Sequence, residues 1–187
     1  MVPKKFEIRV ENIVACVALG MRIPLEALVE HLDGTEYEPE QFPGLVYRVK
    51  DPKAATLIFS SGKIVCTGAR SIEDVEKVIK KVVKVLKDAK IGTPKPKKYK
   101  ISIENIVASS KLEGRLNLDN IAFELEDSEY EPEQFPGLVY RMKDPKVAFL
   151  LFSSGKIVCT GARKVEDIEI AVKALSKKLK SINAIKK

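Results

Sequence analysis

An amide, a pair of aromatic rings and three cations recur in this chain at a separation of 93 residues. Asn12 returns as Asn105, Phe42 and Phe59 as Phe135 and Phe152, and Arg48, Lys63 and Arg70 as Arg141, Lys156 and Arg163. Amides donate and accept hydrogen bonds, rings stack or wedge, and cations meet phosphates, so these are the parts of a binding surface. Catalysis needs other groups. The repeated acids lie in loops, His31 stands alone, and Cys16, Cys66 and Cys159 show no CxxC spacing. The expectation is a protein with no catalytic residue, metal or cofactor, its cysteines reduced and its compartment reducing.

Those residues are embedded in a stretch written twice. Glu36 to Arg70 and Glu129 to Arg163 align without a gap over 35 pairs, 31 of them identical, with mismatches at 49, 54, 56 and 58. Upstream, Glu11 to Ala15 returns as Glu104 to Ala108. The period is too long for a solenoid, which repeats every ~20–50 residues in at least three copies. The chain therefore reads as two units, 1–93 and 94–187, joined by a linker at about 91–98. Its function should need two equivalent half-sites.

Hydropathy patterning supplies the elements that must hold these residues. Alternation from Phe6 to Ala15 predicts a strand, with Asn12 where an apolar residue is due. Pro24 opens a short helix, Leu25 to Leu32. Glu36 to Gln41 reads as a loop or short edge strand, and Pro43-Gly44 leaves Phe42 at a loop tip. Leu45 to Lys50, Ala55 to Ser60 and Lys63 to Gly68 read as a meander of strands. Ser71 caps a helix to about Lys90, striped by Ile72, Val75, Ile79, Val82 and Leu86. The second copy ends in a helix from about Val165 to Lys180, and Ser181 to Lys187 reads as a frayed tail. The result is an α+β pseudo-two-fold protein whose helices cover one face of an antiparallel sheet and leave the other open.

On the open side, Lys63, Val65 and Thr67 point away from the helices while Ile64 and Cys66 point toward them. Ala55 to Phe59 and Ala148 to Phe152 are apolar on both faces. Such a patch needs a partner. A second layer, or self-association through that face, would account for the apolar strands alone. Rings at the margin, a short amide and cations at strand ends favour something apolar in its groove, stackable and negative along both rims. Double-stranded DNA seen from its minor groove has those properties. The net charge of +7 is in keeping with a polyanion, although many lysines sit on the predicted helices as a solvated face. No apolar run is long enough to span a bilayer, and no signal-peptide pattern opens the chain.

The ENIVA, EPEQFPGLVYR and FSSGKIVCTGAR segments, each present in both repeats, resemble the TATA-box-binding protein family in its archaeal form. The resemblance implies a saddle of about ten curved antiparallel strands with helices on the convex face. It further implies a general transcription initiation factor whose concave face lies on a widened minor groove. Asn12 and Asn105 match the family's central asparagines, and Val14, Val65, Val107 and Val158 match valines that exclude a guanine amino group. Thr67 and Thr160 match its reading threonines, and Leu57 and Leu150 its apolar contacts. Phe42, Phe59, Phe135 and Phe152 match four wedges that prise base steps apart. Arg48, Ser61, Lys63 and Arg70, with Arg141, Ser154, Lys156 and Arg163, match phosphate contacts. Glu131 and Glu133 match an acidic loop that docks transcription factor B, through which RNA polymerase is recruited. The implied location is the archaeal cytoplasm with its nucleoid, or the nucleus if the source is eukaryotic. Two other classes remain: a non-catalytic protein-binding scaffold using the same face, and an enzyme such as a DNA glycosylase with a related domain. The second would need an acid or nucleophile constellation that does not recur here.

Overall fold

A computed structural model describes residues 6–94 and 99–186. Half of the expected linker, 95–98, lies outside the described residues. In chain order the elements are β1 (Arg9–Ala18), α1 (Leu25–Val29), β2 (Thr35–Glu36), β3 (Gly44–Val49), β4 (Ala54–Phe59), β5 (Lys63–Ala69) and α2 (Ile72–Asp88). The second copy follows as β6 (Ile101–Lys111), β7 (Arg115–Leu116), α3 (Leu118–Glu124), β8 (Ser128–Glu129), β9 (Leu138–Lys143), β10 (Lys146–Leu151), β11 (Lys156–Ala162), α4 (Val165–Ser181) and β12 (Ile185–Lys186). Spatially the chain forms two compact units, residues 12–104 and residues 1–11 with 105–187.

Ten strands form the antiparallel sheet, ordered β2-β3-β4-β5-β1 in one copy and β6-β11-β10-β9-β8 in the other. Period-two burial explains the layering. Along β4 the even residues Ala54, Thr56 and Ile58 are buried while Ala55, Leu57 and Phe59 stay half-covered. β5 and β11 each bury their Ile and Cys and turn Val and Thr the other way. The buried face meets a long helix. Val75, Val78, Ile79, Val82 and Leu86 of α2 are fully buried, and Ile168, Ala171, Val172, Leu175 and Leu179 of α4 do the same in the second copy. Ser71 caps α2 as expected, its hydroxyl accepting from the Asp74 amide at 3.0 Å.

Four details depart from the sequence-based expectation. β1 runs Arg9–Ala18, later than the predicted Phe6 to Ala15, and Ile8 lines a small void with Ile168 and Val172 of α4. The alternation therefore changes sides between Ile8, which faces α4, and Asn12, which does not. α1 stops at Val29 and not at Leu32. Ile72, expected in the apolar stripe, is 49% exposed because it is the first helical residue. The tail is paired: Ile185 and Lys186 hydrogen-bond in register with Leu116 and Arg115. Ala184 is fully buried, and its carbonyl accepts from the Asn117 amide at 2.9 Å. A two-residue partner far away in sequence is what local patterning could not reveal.

Candidate functional site

The uncovered face of each unit is built around a β-bulge. Between Ile13 and Ala15 of β1, the pairing on β5 moves from Ala69 to Cys66, so β5 carries an extra residue. The same shift occurs on β11, where Thr160 pairs with Val107 but Ala162 with Ile106. Gly68 and Gly161 take positive φ there, 98° and 105°, a region that disfavours any residue with a Cβ. An asparagine takes up the backbone N–H at each bulge. Asn12 Oδ1 accepts from the Gly68 amide at 2.6 Å, and Asn105 Oδ1 from the Gly161 amide at 2.7 Å.

That bond decides how the amide points. A backbone N–H only donates, so it must face the side-chain oxygen and leave the nitrogen on the other side. Asn12 Nδ2 donates to Thr67 Oγ1 at 3.2 Å, and Asn105 Nδ2 to Thr160 Oγ1 at 3.1 Å. An amide nitrogen has two hydrogens, so a second donor is left for an acceptor on the open side. Around it, Val14, Leu57 and Val65 are half-buried, as are Val107, Leu150 and Val158. Leu57 sits directly opposite Val65, and Leu150 opposite Val158. Each unit thus has an apolar floor with one oriented hydrogen-bond donor.

At the margin the rings meet in pairs. Phe42 and Phe59 lie 5.9 Å apart at 69°, and Phe135 and Phe152 lie 6.0 Å apart at 70°. Edge-to-face packing of this kind is favourable for aromatic pairs. Phe42 and Phe135 are each 42% exposed, so they project from the fold without being part of its core. The EPEQF segment turns back on itself to place them: the Phe42 amide donates to the Glu38 carbonyl at 2.9 Å and the Phe135 amide to that of Glu131 at 3.0 Å. Gly44 and Gly137 make the seat. A Cβ on Gly44 would lie 2.6 Å from Phe42 Cε1 and 3.0 Å from Phe59 Cε1, with the same crowding at Gly137. Proline–glycine was legible as turn chemistry; the need for an open space under two rings was not.

The cations are less uniform. Lys63, Arg70 and Lys156 are exposed. Ser61 and Ser154 accept from the Lys63 and Lys156 amides at 3.4 Å, which shapes the two hairpin turns. Arg48 is paired with Glu36 at 3.4 Å and Arg141 with Glu129 at 3.9 Å, partners that sequence reasoning missed. Both pairs are exposed, so the guanidinium groups are held only weakly. Arg163 is exposed and also has an interaction within the protein. Glu131 and Glu133 are exposed on the loop before Phe135, as Glu38 and Glu40 are before Phe42.

Burial pushes the Cys66 thiol up to about 11 and the Cys159 thiol up to about 12, so both are inert core groups at neutral pH. Among the described residues no three His, Cys, Asp or Glu side chains converge, and no helix is long and apolar enough to cross a membrane.

Comparison with known proteins finds one family twice. The model described as "Transcription factor TFIID (or TATA-binding protein, TBP)" matches residues 7–89 and again 100–182. The TATA-box-binding protein of Methanobrevibacter smithii is 53% identical over 179 residues, covering 96% of this chain and 98% of the relative. That of Thermoplasma volcanium is 52% identical over 181 residues, covering 96% and 97%. Among solved structures, Methanococcus jannaschii TBP superposes with a TM-score of 0.85 at 51% identity, covering 96% of this chain and 99% of that one.

Proposed function

The chain belongs to the TATA-binding protein family, and from that premise we propose that it is a general transcription factor that binds and bends A/T-rich promoter DNA through the minor groove. The observation that carries this is one face repeated: an apolar floor, an asparagine whose oxygen is held by a bulge amide, and an edge-on pair of rings, each present twice.

In the minor groove, A·T and T·A pairs offer only acceptors, whereas G·C adds an amino group. The free N–H of Asn12 and Asn105 suits those acceptors, with Thr67 and Thr160 beside them. Val14, Val65, Val107 and Val158 leave no room for the amino group, and Leu57 and Leu150 extend the apolar contact. Phe42, Phe59, Phe135 and Phe152 enter base steps, a mode for which this family is a standard example. Unstacking costs a few kcal/mol per step. Burial of each ring returns about 1.5–3 kcal/mol, and flexible steps such as TA lower the deformation energy.

Arg48, Ser61, Lys63 and Arg70, with Arg141, Ser154, Lys156 and Arg163, meet phosphates. For Arg48 and Arg141 this means exchanging Glu36 and Glu129 for the backbone. Six Lys and Arg contacts correspond to a log–log salt slope of about −5. Glu131 and Glu133 serve as the docking point for transcription factor B, which brings RNA polymerase. Without DNA, the apolar face is one that a second copy would cover.

A bending assay on an A/T-rich duplex tests this, comparing wild type with Phe42→Ala/Phe135→Ala. Bending by the wild type and its loss in the variant are expected. A duplex that stays straight under the wild type rejects the function, and full bending by the variant rejects the wedges.

A further inference from the structure

One group of cations lies partly outside the contacts assigned above. In the unit formed by residues 1–11 and 105–187, a cavity of about 390 Å³ opens between the start of β1, the end of β6 and the β10–β11 turn. Lys111 and Lys156 line it and stand directly opposite each other in the β6–β11 register. Like charges in that relation repel, and among the described residues neither ammonium has a hydrogen-bond or ion-pair partner. Arg9 lines the same cavity. Its carboxylate partner, Glu7, is 3.8 Å away, also in the lining, and both side chains are largely exposed, so the pair is loose.

Three serines complete the wall. The Ser109 hydroxyl is engaged, donating to Glu11 Oε1 at 2.7 Å, and Ser154 accepts from the Lys156 amide. Ser110 is 8% exposed, and its hydroxyl has no partner among the described residues. It lies opposite Ile157 on the side of β6 that faces α4, so it closes the back of the wall and offers the cavity no hydroxyl.

The equivalent place in the other repeat is different. Residues 93 positions away replace Lys111 by Ala18, Arg9 by Ser102, Ser110 by Val17 and Glu7 by Lys100. Only one half, then, sets two lysines face to face with an arginine beside them.

We infer that this cavity is a phosphate cradle for the DNA backbone, in which Arg9 and Lys111 add to the contacts of Ser154 and Lys156. The inference rests on the DNA-binding reading proposed above and extends it to two further cations. Phosphates carry no base identity, so the cradle raises affinity and salt dependence without altering sequence preference. Glu7 competes with the phosphate for Arg9.

The test titrates an A/T-rich duplex at several salt concentrations with wild type, Arg9→Ser/Lys111→Ala and Glu7→Gln. The double variant carries the residues that the other repeat uses at these positions. Its log–log slope should be shallower by about 1.8, so that over a fourfold rise in salt the wild type loses about 12-fold more affinity. Bending should persist. Glu7→Gln should bind more tightly at fixed salt. Parallel salt plots for the wild type and double variant, or unchanged or weaker binding by Glu7→Gln, would overturn the cradle. Absence of any bending by the wild type would instead remove the DNA reading, and the cradle with it.

Discussion

From Glu36 to Arg70 and in its copy, the two repeats differ where a protein usually resists change and agree where it usually drifts. Within the 35 aligned pairs, all four differences are buried on the helix-covered side: Val49 against Met142, Ala54 against Val147, Thr56 against Phe149, and Ile58 against Leu151. Every half-buried residue of the open face in that stretch is the same in both. Cores accept varied apolar fillings provided volume is kept. A surface that must present one chemistry to two equivalent half-sites has no such freedom. The comparison teaches that the uncovered side is under the tighter constraint, and that each helix has been refitted to its own half.

Exchanging core residues between the copies should strain this comparison most. Phe149→Thr removes a fully buried ring and should cost about 3–5 kcal/mol. The converse, Thr56→Phe, overpacks a site where the hydroxyl donates to the Tyr47 carbonyl at 2.9 Å, and should cost about 1–3 kcal/mol. Denaturant unfolding measures both. Affinity of the folded fraction for A/T-rich duplex should be unchanged, and a large change would show that core and open face are not independent.

The next effect should be equal in the two halves. Asn12→Ala and Asn105→Ala each remove the acceptor for a bulge amide; Gly68 and Gly161 are exposed, so water can replace it and the loss should be about 0.5–1.5 kcal/mol. Asn12→Asp and Asn105→Asp keep the acceptor, so they should largely preserve stability yet weaken binding by replacing the free N–H with negative charge. Loss of stability without loss of binding in the Asp variants would reverse the roles assigned to the two ends of the amide.

The smallest effect concerns the helix starts. Ser71 caps α2 with its side chain, whereas Lys164 makes no such bond at α4. Ser71→Ala should cost about 1 kcal/mol, and Lys164→Ser should stabilise by a similar or smaller amount. Thermal unfolding resolves both, and no gain from Lys164→Ser would mean that the α4 terminus is satisfied in another way.

Much of this was legible in the chain because the duplication is explicit. A 93-residue register fixed the repeats, and strict alternation in Lys63 to Thr67 separated covered from uncovered side chains. The asparagines stood out because they interrupt an apolar strand, but the bulge that orients them did not. Asn12 meets Gly68 across 56 residues, and no local pattern encodes that bond. Likewise, helical spacing gives the direction of Ile72 but not where the sheet beneath it ends. Arg48 was visible as a cation, whereas its pairing to Glu36 depends on β2 lying beside β3.

The paired tail has a practical side. Ile185 and Lys186 lie along Arg115 and Leu116, Asn117 is tied to Ala184 and begins α3, and α3 leads into the acidic loop that carries Phe135. Cutting the protein back to Ser181 would loosen that whole route, so a trimmed version could lose its grip on ligand with every assigned contact residue still in place. Affinity handles for purification are safer before β1, with any fusion after residue 186 set off by a flexible spacer.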